Sequence, residues 1–146
     1  SNVLKEQGKW DDAIAAFREV VEKLPQTPQV EEAEFWIAVG THQKGDSRNA
    51  IPLLDAFVKK YPDTALTPSA LYAGGAARIA LQQTDDGVKI FAELAEKFPQ
   101  SQPAPFTYFD RARLAGAAQK ADEVIRLMKE FAEKYPDDDK VFFAFD

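Results

Sequence analysis

Apolar side chains in this chain return at spacings of three and four, and the stripes themselves return at a longer period. Ile51, Leu54, Phe57, Val58 and Tyr61 form one stripe; Ile14, Phe17, Val20, Val21 and Leu24 form another. The same stripe recurs as Val88, Phe91, Leu94, Ala95 and Phe98, and as Ile125, Met128, Phe131, Ala132 and Tyr135. Such spacing predicts four amphipathic helices. Each stripe runs into a proline (Pro25, Pro62, Pro99 and Pro136), 37 residues after the last, with a lysine two positions upstream. Proline stops a helix because it has no N–H to donate and disfavours a helical predecessor. Acids open the stripes (Asp11 and Asp12, Asp85 and Asp86, Asp122 and Glu123) and lysines close them, both placements favourable to the helix dipole. Ser47 and Thr84 are the expected N-caps. Pro52 falls several positions into the second stripe, so that helix is expected to start late or to open with a distorted turn.

A second set of helices is predicted between the first. Thr27-Pro28 and Thr67-Pro68 read as a cap followed by a first-turn proline, opening helices near 28–43 and 67–82; Pro103 and Pro105 open a third near 104–119. Small residues recur on these helices at Ala38, Gly75 and Ala112, again 37 apart, where a partner helix can approach closely. One helix-turn-helix cannot bury both its faces, so neighbouring units must stack. The expected fold is all-α: a right-handed α-solenoid of helix-turn-helix repeats with a 37-residue period, spread over the whole chain, 1–146. Its approximate units are 1–25, 26–62, 63–99 and 100–136, with 137–146 starting a further helix. By the same period Val3 to Gln7 is the tail of a preceding helix, separate from the one opening at Asp11, and Val141, Phe142, Phe143 and Phe145 lie where the next should begin. Both ends read as apolar and uncapped, from which weak self-association is expected.

Composition removes several classes of function. The chain has 146 residues, 45% hydrophobic and 29% charged, as in an ordinary folded protein and unlike a disordered one. A net charge of −6 argues against a nucleic-acid partner, because phosphate neutralisation needs a basic face. No apolar run is long enough to span a bilayer. Without cysteine there is neither a disulfide nor a thiolate site. His42 is the only histidine, no HExxH or nucleophile-elbow spacing accompanies it, and a lone histidine near a helix end reads as a solvated or contact residue. Asp137-Asp138-Asp139 lacks the alternation of a calcium loop and reads as an acidic helix cap. Gly74-Gly75 lies inside a helical pattern and reads as close packing, not a phosphate loop. No catalytic residue, metal site or cofactor is expected.

The residues resemble a known family. Ala13-x3-Phe17…Pro25 and Ala50-x3-Leu54…Pro62 follow the second half of the tetratricopeptide pattern, and Gly45-Asp46 follows its inter-helix turn. Gly87-x3-Phe91…Pro99 and Val124-x3-Met128…Pro136 keep the pattern more loosely. The lengthened period, the Tyr61-Pro62, Phe98-Pro99 and Tyr135-Pro136 ends and the string Ala33-Glu34-Phe35-Trp36-Ile37-Ala38 resemble a bacterial subclass. That subclass includes the periplasmic coordinator of the Tol-Pal system and the repeat lipoprotein of the outer-membrane β-barrel assembly machine. In such arrays the first helix of each pair lines a concave surface. The resemblance therefore implies partner-facing slots at Glu32, Phe35, Val39 and His42, at Ser69, Tyr72, Ala76 and Ile79, and at Phe106, Phe109 and Arg113. Phe35, Tyr72 and Phe109 stand 37 apart, as a ladder that either packs hairpin on hairpin or anchors a peptide. Arg78, Arg111 and Arg113 are candidates to hold acidic groups of a partner. The function expected is a non-catalytic scaffold for a protein or peptide partner, periplasmic or otherwise associated with the cell envelope. A cytoplasmic location, a self-assembling structural array and a regulatory segment of a multidomain enzyme are the alternatives.

Overall fold

The computed structural model describes the backbone of residues 2–136 and side chains from residue 8 onward. The Asp137–Asp139 cap and the apolar segment Val141–Phe145 lie outside the described residues, as do the side chains of Val3 to Gln7. Among the described residues there are seven helices and no strand: α1 (Asn2–Lys23), α2 (Gln29–Gln43), α3 (Ser47–Lys60), α4 (Thr67–Ala80), α5 (Thr84–Lys97), α6 (Ala104–Ala117) and α7 (Ala121–Lys134). Two kinds of turn join them, and each recurs in step with the 37-residue period.

At the prolines, the last helical bond runs from Leu24 N to Val20 O, Tyr61 N to Phe57 O, Phe98 N to Leu94 O and Tyr135 N to Phe131 O, at 2.8–2.9 Å. At the other turn the backbone passes through positive φ at Gly45 (100°), Gln82 (67°) and Gln119 (61°). The N–H groups of these residues donate to the carbonyls of His42, Ile79 and Gly116, and the next N–H groups donate to Thr41, Arg78 and Ala115. This pair of bonds is the Schellman motif, which satisfies carbonyls left open at a helix end.

Two compact units divide the chain, Ser1–Ile90 and Phe91–Asp146, the division falling within α5. In the first unit α1 packs on α2, α2 on α3 and α3 on α4. Its apolar cluster holds Phe35, Ala38, Val39, Ala50, Leu54, Phe57, Ala70 and Ala73. The indoles of Trp10 and Trp36 stack at 6.5 Å between α1 and α2. Beside them a Cβ on Gly40 would stand 3.0 Å from the Trp10 ring. In the second unit α6 packs on α7 around Ala95, Tyr108, Leu127 and Phe131. Tyr135 closes this hairpin by donating its hydroxyl hydrogen to the Pro99 carbonyl at 2.7 Å.

Several local expectations are corrected. The segment Val3 to Gln7 is no separate helix tail, since α1 runs unbroken from Asn2 through Gly8 to Lys23. Ser47 does not cap α3. Asp46 does, its carboxylate accepting from the Asn49 N–H and side chain, while Ser47 is a buried residue of the helix. Thr84 likewise lies within α5. Thr27 and Thr67 do not cap forward; their hydroxyls donate back to the carbonyls of Leu24 and Tyr61, tying down the proline turns. Pro52 does not delay α3, which begins at Ser47 with the proline inside it. The carbonyl that Pro52 leaves without a donor belongs to Arg48, and both residues are exposed, so water can take the bond.

Candidate functional site

The candidate residues on α2 and α4 divide into a floor and a surface. Phe35 and Val39 belong to the floor: both are buried in the first unit's apolar cluster. The Phe35 ring meets Trp36 at 5.2 Å and Phe57 at 5.7 Å, both edge-on, so this rung of the ladder serves packing. His42, Tyr72, Ala76 and Ile79 are only partly covered, and Glu32 is exposed. Ile79 lies over Gly87, where a Cβ would stand 2.6 Å from its Cγ1 and 2.7 Å from the Gly75 carbonyl oxygen.

His42 departs from the expected solvated histidine. Its Nδ1 lies 3.1 Å from the hydroxyl of buried Ser47. Burial pushes its pKa below the ordinary value of 6.5, so the ring is neutral at pH 7. The α2 and α4 face therefore presents aromatic, aliphatic and neutral imidazole groups, with Glu32 its one ionised member among these slots.

On α6 of the second unit, Phe106 is 42% exposed and Arg113 is exposed. Phe109 is partly buried, its ring tilted on Phe131 at 4.8 Å. The three candidate arginines behave differently. Arg78 pairs with Asp55 at 2.8 Å, and Arg113 reaches Asp110 at 3.4 Å. Arg111 turns inward, its guanidinium 5.5 Å from the Tyr108 ring centre, and its Nε is buried without an acceptor among the described residues. Burial pushes its pKa down, and the charge of nearby Arg126 adds to the shift. Arg126 is itself engaged by Glu123 and Glu130.

The sequence reading missed the clasp at Glu34, whose carboxylate accepts from Lys60 Nζ at 2.7 Å and from the Tyr61 hydroxyl at 3.3 Å. A signal existed: Glu34 stands between Ala33 and Phe35 on a largely apolar stretch of helix, where an acid needs a partner. Among the described residues no group of three or more His, Asp or Glu side chains is placed to hold a metal. No helix among them is long and apolar enough to cross a membrane.

The profile of the tetratricopeptide repeat family matches residues 2–27, 32–64 and 69–101. No curated protein shows a significant match. The matched stretches take in α1, most of α2 and α4, and all of α3 and α5. The α6–α7 hairpin falls beyond them, yet it repeats the same Schellman turn and proline stop. The repeats of this family mediate protein–protein interaction and are not catalytic. With more than half of its length matched and seven helices in repeating pairs among the described residues, this all-α chain of the solenoid class belongs to the tetratricopeptide repeat family.

Proposed function

We propose that this protein is a non-catalytic scaffold that holds a segment of a partner protein against its first helices. The partly covered side chains His42, Tyr72 and Ile79 make the contact on α2 and α4, with Phe35 and Val39 as a rigid floor behind them. On α6 the contact falls to Phe106, Phe109 and Arg113. One observation carries the reading: on α4 the four slots of one helical phase, Ser69, Tyr72, Ala76 and Ile79, all remain partly open beside buried neighbours, and they include an aromatic and an aliphatic residue. Rigid amphipathic rings on a packed floor bind at low entropic cost. The resemblance of the 37-residue period and of the Tyr-Pro and Phe-Pro helix ends to a bacterial subclass of such repeats is what supports an envelope-associated or periplasmic setting.

Site-specific photo-crosslinking tests the proposal. A photoreactive residue at Tyr72 or Phe106 is expected to capture one discrete protein. The same probe at Lys89, exposed on α5, should not capture it. Identical crosslink patterns from all three positions would overturn the assignment of the face.

A further inference from the structure

Among the partner-facing slots of α2 and α4, Glu32 is the only acidic residue and His42 the only basic one. Glu32 opens the row on α2 and is exposed. His42 closes it ten residues later, about 15 Å along the helix axis and beyond the ~8 Å screening length of physiological salt. The other slots of α2, Phe35 and Val39, are buried, and those of α4 are Ser69, Tyr72, Ala76 and Ile79.

The fold holds one side of the His42 ring and leaves the other open. Nδ1 is committed to the hydroxyl of buried Ser47 on α3, 3.1 Å away, while Nε2 has no partner among the described residues. Charged groups on the elements packed around α2 are engaged elsewhere or lie in solvent. Lys44 pairs with Asp11 of α1 at 2.7 Å, and Asp46 turns its carboxylate to Asn49 of α3. Arg78 of α4 pairs with Asp55 of α3 at 2.8 Å, and Arg48 is exposed. Burial alone governs the titration of the ring, so no carboxylate stabilises its charged form.

We propose that His42 is an acid-sensitive anchor: the partner segment lays uncharged groups over its neutral ring, and protonation of the ring releases the segment. The inference rests on the proposed contact to the first helices and adds the chemistry of the partner at one slot. A neutral imidazole offers Nε2 to a peptide group. An imidazolium in the same slot would shed its remaining water beneath the segment with no counter-charge to replace it. Covering the ring therefore favours the neutral form further. By linkage, binding is strongest above the pKa of the uncovered ring and fades as pH falls through it.

Photo-crosslinking through Tyr72, carried out from pH 7.5 down to pH 5.0, tests the inference. Capture by the wild type is expected to fall about threefold or more over that range. In His42→Gln the ratio of the two yields should return to about one, whatever their absolute level; this variant reports any change that comes from other groups or from partial unfolding. The protein has a single histidine, so its ring protons are unambiguous in a nuclear magnetic resonance titration, and their midpoint should lie below 6.5. Capture that stays flat in acid would overturn the inference. Capture that rises would place an acidic group of the partner at His42 and overturn it equally, as would a loss that His42→Gln reproduces in full or a midpoint above 6.5. Absence of a discrete captured protein at pH 7.5 would instead overturn the contact face beneath it.

Discussion

Gly87 sits where two helices are brought together by the absence of a side chain. A methyl group there would stand 2.6 Å from Ile79 and 2.7 Å from a backbone oxygen that has no rotamer to escape into. Helix propensity favours alanine over glycine by about 0.5–1 kcal/mol, but overpacking costs about 1–3 kcal/mol, so overpacking wins. Gly87→Ala is therefore expected to lower the urea midpoint. Gly74→Ala should not, since its methyl would meet only Arg78 Nη1 at 3.7 Å, an ordinary contact. Equal shifts for the two variants would contradict the close approach. His42 yields a prediction in pH. Its folded-state pKa lies below 6.5, so the unfolded chain binds the proton more readily. Stability linked to this residue is complete above pH 6.5 and is lost as pH falls below that value toward the folded pKa. Thermal melts of wild type should weaken between about pH 7 and pH 5, above the range where most carboxylates titrate, and His42→Gln should flatten that slope.

The helices were legible mainly through their ends. A proline at the end of an apolar stripe announces a stop because it has no N–H with which to continue the helix, and the four stops fall where the spacing places them. The other turn was legible only at Gly45, because glycine signals positive φ. Gln82 and Gln119 adopt the same conformation with no such signal, and only the period reveals them. Gly8 shows the opposite case: it stands in the Gly45 register, yet α1 runs straight through it. Nothing lies within 4 Å of a Cβ built there, so Gly8→Ala should stabilise by about 0.5–1 kcal/mol. A loss of stability would mean that Gly8 makes a turn. Pro52 stands at an exposed position of α3, where water can take the bond its ring denies to the Arg48 carbonyl, and tolerance is not neutrality. Pro52→Ala is expected to raise stability by roughly 1–3 kcal/mol, less than the full interior penalty because proline also restricts the unfolded chain. An unchanged urea midpoint would show that the penalty is already relieved. The candidate site was only half legible for a related reason. Periodicity gives the phase of Phe35, Tyr72 and Phe109, but neighbours decide which ring becomes floor, and Phe57 takes Phe35 inward.

For the chain as a whole, stability is expected to be spread over many nearest-neighbour contacts, as in any repeat array. Leu54 anchors the first unit and Phe131 the second, and both are essentially inaccessible to solvent. Leu54→Ala and Phe131→Ala should each cost about 2–5 kcal/mol as large-to-small changes at buried sites. Urea titration by far-ultraviolet circular dichroism measures both. Shifts under about 0.5 kcal/mol would mean that these side chains are not packed as described. The excess of 24 acidic over 18 basic side chains leaves a net charge of −6 over the chain, which disfavours the approach of polyanions at a distance. The indole stack between α1 and α2 has a separate consequence. Both tryptophans of the protein, Trp10 and Trp36, are in that pair, and both lie in the first unit. Intrinsic fluorescence is thus a local gauge that watches one corner of the molecule, while circular dichroism averages over every helix. A spectroscopist titrating this protein holds two instruments with different fields of view, and any lag between their curves measures how far unfolding spreads from one repeat to the next.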